Sequence, residues 1–352
     1  MSSEVDILFA LLKSSLGDNE SQETLNSQLS TLNSKEWWLV FKLLQRNHVA
    51  ALASMAVERM DVPREVKIPW LTEREKASGW YRYQREVQCD IIEKMSRNGI
   101  ETLVLKGTRT AQYYPKEELR EFGDLDLYFS RHREADDVAR REFCVSIRTT
   151  SHHHTKYDYR GVTVESHFDF VNRHYPPSNH RYELMLKKIS AQQSSFPSFE
   201  VLFLLRHMAG HFASSRITLR DLVDWYLTCR TLDDRVDWGD VQKTIKNYGM
   251  ERFAKALCHI VERRFGYKIP LDFAIGRHDD EVESKVEHDI VYGDSVTVDK
   301  GLDGIDRLTW KFRRHHAMGW KRNMVFRDPA LALFLSNITS HAERPYSILH
   351  KQ

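Results

Sequence analysis

Apolar positions along this chain change period twice. From Val5 to Asn98 they recur at helical spacing. Val5 to Ser15 reads as a short helix that Gly17 can stop. Gly17 to Asn33 is rich in Ser, Asn and Gln and reads as a loop. Ser34 to Arg59 reads as one helix with Ser34 as N-cap. Trp37, Trp38, Val40, Phe41, Leu43 and Leu44 dominate one of its sides. Asp61 to Pro69 carries two prolines and reads as a linker. Thr72 to Asn98 reads as a long helix closed by Asn98-Gly99.

Between Glu101 and Phe168 the pattern becomes that of strands and turns. Strands are expected at Glu101 to Leu105, Asp124 to Phe129, Phe143 to Thr149, Lys156 to Tyr159 and Val162 to Phe168. Arg160-Gly161 turns the last two into a hairpin, and a helix covers about Arg133 to Glu142. From Ser198 the helical period returns, over Phe199 to Ala213, Leu219 to Leu232, Trp238 to Tyr248 and Glu251 to Phe265. Arg277 to Lys300 is acidic and poor in apolar clusters, so it reads as a mobile loop. Leu302 to Lys321 is basic and aromatic. The expected class is α+β: a small mixed β-sheet core flanked by N-terminal and C-terminal helical subdomains. The expected division is 1–98, 99–190, 191–270 and 271–352.

Composition narrows the possibilities only slightly. Lys+Arg 52 against Asp+Glu 50 leaves a net charge of +2, so no global field points to nucleic acid or a membrane. Cys89, Cys144, Cys229 and Cys258 lack metal-type spacing and read as free thiols in a reducing compartment. The run Ile7 to Leu12 is too short for a signal h-region, and no stretch approaches the ~20 apolar residues of a membrane span. A cytoplasmic location is the expectation.

The candidate chemistry sits in the middle segment. Asp124 and Asp126 alternate with Leu125, so on a strand both point to one face and can share hard cations. The turn Lys106-Gly107-Thr108 follows an apolar strand, and backbone N–H groups after such a turn can hold phosphate. Lys106 and Arg120 could neutralise phosphate charge, or be ordinary salt-bridging cations. Glu165 lies opposite Val162 and Val164, which suits either a third ligand or an exposed strand residue. His207 and His211 stand four apart on a helix, but Met208 occupies the place of a metalloprotease glutamate, so packing and a polar cleft lining are expected. In His152-His153-His154 strand alternation would let at most His152 and His154 cooperate. Arg220 and Asp224, four apart, could simply pair.

The unit Leu105-Lys106-Gly107-Thr108, Tyr113-Tyr114-Pro115 and Arg120-Glu121-Phe122-Gly123-Asp124-Leu125-Asp126-Leu127 resembles the bacterial uncharacterised nucleotidyltransferase family of the polymerase-β-like superfamily. So do Glu165-Ser166-His167-Phe168, His207-Met208-Ala209-Gly210-His211-Phe212 and Arg220-Asp221-Leu222-Val223-Asp224-Trp225. The resemblance runs from about Trp37 to Phe265. It implies transfer of a nucleoside monophosphate from an NTP, such as ATP, to an acceptor hydroxyl, with Mg²⁺ or Mn²⁺ and release of pyrophosphate. Asp124, Asp126 and Glu165 would be catalytic and hold the metal; Lys106, Gly107, Thr108, Arg120 and Asp224 would bind the nucleotide. A small-molecule or protein acceptor is expected over long nucleic acid, although the basic aromatic stretch Trp310 to Lys321 leaves a local RNA contact open. Two alternatives stand beside this reading. One is a toxin-like or regulatory enzyme acting on a macromolecule and held by a partner at the acidic stretch Asp279 to Glu287. The other is a catalytically silent nucleotide-binding module.

Overall fold

Asn33, one residue before Ser34, caps the first aromatic helix. Its Oδ1 accepts from the backbone N–H of Lys35 and Glu36 at 2.9 and 3.1 Å, and Glu36 Oε2 accepts from Asn33 N at 2.8 Å. The computed structural model describes residues 4–17, 29, 32–149, 152–173, 175–274, 279–293, 304–329, 331–333 and 335–336. Most of the segment read as a loop from Gly17 to Asn33 lies outside them. The expected single helix over Ser34 to Arg59 is two. After α1 (Glu4–Ser15) come α2 (Ser34–Arg46) and α3 (Ala50–Arg59), because His48 takes a left-handed conformation at φ 57°. The expected linker is also shorter: α4 (Arg64–Arg97) starts directly after Pro63. Proline suits a helix entry, where its missing N–H costs nothing. The far end of α4 closes as expected at Asn98-Gly99. Gly99 N donates to Ser96 O at 2.8 Å and Ile100 N to Met95 O at 2.9 Å, with Gly99 at φ 68°.

By contacts the chain forms two units: 1–168 with 218–231 and 261–267, and 169–217 with 232–260 and 268–352. The first holds a four-stranded mixed sheet. Its strands β1 (Thr102–Val104), β2 (Asp124–Phe129), β3 (His154–Tyr159) and β4 (Val162–His167) lie in the order β1-β2-β4-β3. β2 and β4 are parallel, and the outer pairs are antiparallel. The β3–β4 hairpin turns at Arg160 and Gly161, φ 51° and 75°, the paired left-handed residues of a tight two-residue turn. One face of the sheet is core. Leu125, Leu127, Phe129, Tyr157, Val162 and Val164 pack on Val87, Ile91 and Met95 of α4 and on Ala135, Val138 and Ala139 of α6 (His132–Glu142), which follows the four-residue α5 (Thr108–Ala111). No strand forms over Phe143 to Thr149. Its alternation of Phe143, Val145 and Ile147 is strand-like, but Cys144 has φ 54° and, among the described residues, the segment joins the sheet through the Arg148–Lys156 bridge alone.

The second unit is helical: α7 (Asn179–Ser190), which the sequence reading left unassigned, α8 (Phe196–Ser214), α10 (Trp238–Asn247), α12 (Asp280–Tyr292), α13 (Gly304–Ala317) and α14 (Gly319–Val325). Two further helices, α9 (Leu219–Leu232) and α11 (Glu251–Phe265), have the bounds read from the sequence. The acidic stretch expected to be a mobile loop contains α12, capped by Asp279 and burying Val286, Ile290 and Val291; positions 277–278 and 294–300 lie outside the described residues. Lys321 is wholly buried rather than part of a basic surface, its Nζ 2.6 Å from Asp289 Oδ1 and 2.8 Å from Ser215 O. Among the described residues no helix is long and apolar enough to cross a membrane.

Candidate active site

Because Leu125, Leu127 and Phe129 turn to the core, Asp124, Asp126 and Tyr128 turn to the opposite face of β2. The register then builds rungs across the sheet. Asp126 pairs with Glu165 and Glu165 with Lys156; Tyr128 pairs with His167 and His167 with His154. Paired positions share a face, so Asp124, Asp126, Glu165, His167, His154 and Lys156 come together from three strands. Lys106 joins them from the turn after β1, where Leu105 N donates to Asp126 O at 3.0 Å.

This face is a dense charge network. Lys106 Nζ lies 3.1 Å from Asp126 Oδ1, and Lys156 Nζ is in contact with Glu165 Oε1. His167 Nε2 lies 3.2 Å from Asp126 Oδ1 and 3.4 Å from Glu165 Oε2. His154 Nδ1 is 3.5 Å from Glu165 Oε2. Burial, followed by the neighbouring Asp126 carboxylate, raises the Asp124 carboxyl above its ordinary value. Burial works in the same direction on Glu165, but its contacts with His167, His154 and Lys156 outweigh burial and bring it down to about 2. For His167, burial disfavours the charged ring, while hydrogen bonds to Asp126 and Glu165 prevail and raise it. Burial holds His154 at about 4 and depresses His153 well below the ordinary histidine value.

Ligand atoms of Asp126, Glu165 and His167 all lie within 4.8 Å of one another, as do those of His153, His154 and His167. Carboxylate and imidazole donors converging on one volume suit a divalent cation, and the positive groups already there show how much countercharge the acids demand. A family model described as "Uncharacterised nucleotidyltransferase" matches residues 33–266. The chain belongs to this nucleotidyltransferase family. It is therefore an enzyme of the class that transfers phosphorus-containing groups. No curated protein and no solved structure matches it.

Within the nucleotidyltransferase frame the other candidates separate. Gly107 sits at φ 63°, and a Cβ there would meet the Phe122 ring at 3.3 Å. The Thr108 hydroxyl donates to Gln88 Oε1 at 2.6 Å in a buried site. Arg120 and Asp224 form a buried bidentate pair: Nε to Oδ1 at 2.9 Å and Nη2 to Oδ2 at 2.6 Å, with the Tyr114 hydroxyl donating to Oδ1 at 2.7 Å. Asp224 thus pairs with Arg120 rather than with Arg220 one helical turn away. Arg220 instead donates to Glu121 O and to Asp221 Oδ1, both at 3.3 Å. Beside Gly123, which precedes Asp124, opens a cleft of about 470 Å³ lined by Trp80, Tyr81, Gln84, Arg120, Phe122 and Arg220 among others.

The histidine run departs from the strand argument. β3 begins at His154, so His153 precedes the strand and is free of its alternation; its ring centroid lies 4.6 Å from His154 and 5.4 Å from His167. Among the described residues it is His153 and His154 that group with His167. The sequence reading gave no role to His167 or Lys156. The signal was present: Glu165 and His167, like His154 and Lys156, are two apart on strands and must share a face. His207 and His211 meet edge to face at 4.4 Å on α8, and among the described residues neither belongs to a group of three metal-type ligands.

Proposed function

We propose that this nucleotidyltransferase moves a nucleoside monophosphate from an NTP to an acceptor hydroxyl, releasing pyrophosphate. The observation that carries this reading is the register of Asp126 against Glu165 in a parallel strand pair, with Asp124 two residues away on the same face. Asp124, Asp126 and Glu165 would hold divalent metal, and His167 would set the orientation of two of them through its contacts to Asp126 and Glu165. When bound, a divalent ion supplies charge neutralisation to the triphosphate and lowers the pKa of the attacking hydroxyl. The chain's own residues do the rest. The backbone of the Gly107 turn is left to meet phosphate, since the Thr108 hydroxyl is already engaged by Gln88. Lys106 lies between that turn and Asp126, where its charge can follow a phosphate oxygen. Glu165 takes the acceptor's proton while its partners hold the carboxylate ionised. We assign Arg120 and Asp224 to each other, as a clamp between the acidic strand and α9 rather than as direct nucleotide ligands. The cleft beside Gly123 is the proposed acceptor site: a volume of about 470 Å³ suits a small molecule or a protein side chain better than a nucleic-acid track.

The test is NTP-dependent pyrophosphate release against acceptor pools, with wild type and Asp126→Asn compared in Mg²⁺ and Mn²⁺. Thermal melts with each NTP and metal give an independent reading. Ligand at about 100 times its Kd should add about 2.7 kcal/mol of stability. Metal-independent melts with every NTP, together with no pyrophosphate release, would refute the reading.

A further inference from the structure

Two of the imidazoles that meet the carboxylates are buried without being satisfied. His154 is only 6% exposed, and among the described residues neither of its ring nitrogens has a hydrogen-bond partner; His167 is 4% exposed, and its Nδ1 has none among them. A buried polar atom left unpaired costs on the order of 1–3 kcal/mol, so three at one place call for an explanation. Packing does not provide one. The His154 and His167 rings lie 4.9 Å apart, with His153 against both, and His154 Nδ1 is turned to the Glu165 carboxylate at 3.5 Å. His154 Nδ1 therefore borders the volume where the acid oxygens converge, and His167 reaches the same volume through Nε2. That donor set is wrong for magnesium alone. Mg²⁺ asks for oxygen ligands in near-ideal octahedral geometry and keeps its waters, whereas imidazole nitrogen favours the later first-row transition ions.

We propose that His154 and His167, with His153 beside them, turn the Asp126–Glu165 centre into a mixed nitrogen–oxygen site that takes a transition divalent cation of the Co²⁺ or Zn²⁺ type in preference to Mg²⁺. This rests on the proposed metal role of Asp126 and Glu165, and it adds which class of ion the site selects. The donor set has the composition of a transition-metal centre: two carboxylates facing each other in register, and two histidines facing each other on the neighbouring rung. Lys106 and Lys156, which hold the acids in the free chain, are the groups such an ion would displace.

The experiment uses the full chain with any polyhistidine tag removed. Co²⁺ is titrated by its visible absorption, and Mg²⁺ and Zn²⁺ by calorimetry and by competition against Co²⁺. Expected is one Co²⁺ per chain with a ligand-field spectrum of nitrogen and oxygen donors, bound at least about 100-fold more tightly than Mg²⁺. His154→Gln should weaken Co²⁺ at least about tenfold and leave Mg²⁺ binding unchanged, with far-UV circular dichroism confirming the fold. The comparison of Co²⁺ with Mg²⁺ on wild type decides the matter even if the variant does not fold. Equal affinity for the two ions, or Mg²⁺ preferred, overturns this inference while leaving the nucleotidyltransfer reading intact. No binding of any divalent ion, with or without NTP, overturns both.

Discussion

Replacing Asp224 with alanine tests whether the buried guanidinium of Arg120 is held for structure or for substrate. Asp224 is 1% exposed and Arg120 4%, and the carboxylate accepts three hydrogen bonds: two from Arg120 and one from the Tyr114 hydroxyl. The substitution leaves a cation and a hydroxyl without partners in a site closed to water. Breaking a buried ion pair by removing one partner costs about 3–5 kcal/mol, and that range already includes most of what the stranded hydroxyl adds. Arg120→Met combined with Asp224→Leu and Tyr114→Phe removes every stranded group, and should recover most of the loss because apolar groups of similar volume replace the pair at little net cost. The assay is urea unfolding followed by tryptophan fluorescence, with the buried Trp225 next to the substituted position as one reporter. NTP binding is measured separately on folded protein at low temperature. If Asp224→Ala stays within about 1 kcal/mol of wild type yet loses NTP affinity, Asp224 is a ligand and the clamp is wrong.

Four further outcomes follow from the same geometry. Burial, with Glu73 adding to it, lifts the Glu121 carboxyl to about 7, although Ala51 N–H and Arg220 oppose the shift and His48 lies 3.9 Å away. Between the unfolded 4.5 and about 7 the unfolded chain gives up a proton that the folded chain keeps. Stability from this group therefore falls by roughly 3 kcal/mol as pH rises through that window, and Glu121→Gln should flatten the slope in urea melts taken from pH 5 to 8; parallel curves would sink the assignment. Asp126→Asn should lower pyrophosphate release by at least roughly 10²–10³-fold while circular dichroism stays native, and retained turnover would remove Asp126 from the centre. Gly107→Ala should cost about 1–3 kcal/mol in thermal melts, since φ 63° and the Phe122 ring both reject a Cβ; an unchanged Tm would contradict the turn geometry. Lys106→Met should tighten metal binding in the absence of nucleotide by about tenfold, because it removes a competing cation, and should raise the KM for NTP; weaker metal binding would count against Lys106 as the group displaced.

What the sequence revealed of this fold was what is local. β2 and the helices α9 and α11 were legible to the residue because period-2 and period-3.6 patterns there meet no competing signal. Phe143 to Thr149 carries the same period-2 pattern, but a strand needs a partner, and the left-handed Cys144 breaks the run, which among the described residues has one bridge. The division of α2 from α3 turns on one left-handed residue, His48, whose side chain gives no warning of it. Proline misled at the start of α4, because Pro63 is as compatible with a helix entry as with a linker.

The same distinction governs the candidate site. The spacing of Asp124 and Asp126 declares a shared face, and the valines of β4 declare the face of Glu165, so the acids were visible one strand at a time. Register is not local. That Asp126 stands opposite Glu165 depends on how a helix and a hairpin return the chain to the sheet, whereas the Arg160-Gly161 turn alone sets His167 opposite His154. Sequence reasoning accordingly found the acids and Lys106 but gave no role to Lys156 and His167. Buried carboxylates in close array cannot stand alone; each needs a cation or a hydrogen-bond donor within reach. Lys106, Lys156 and His167 meet that requirement in the free chain. They do so from the turn after β1, from β3 and from β4, so the acids are held in their working arrangement by three separate pieces of the fold. A centre built this way is ordered before any ion or nucleotide arrives. The contacts an ion must displace are also those that keep its ligands aligned to receive it.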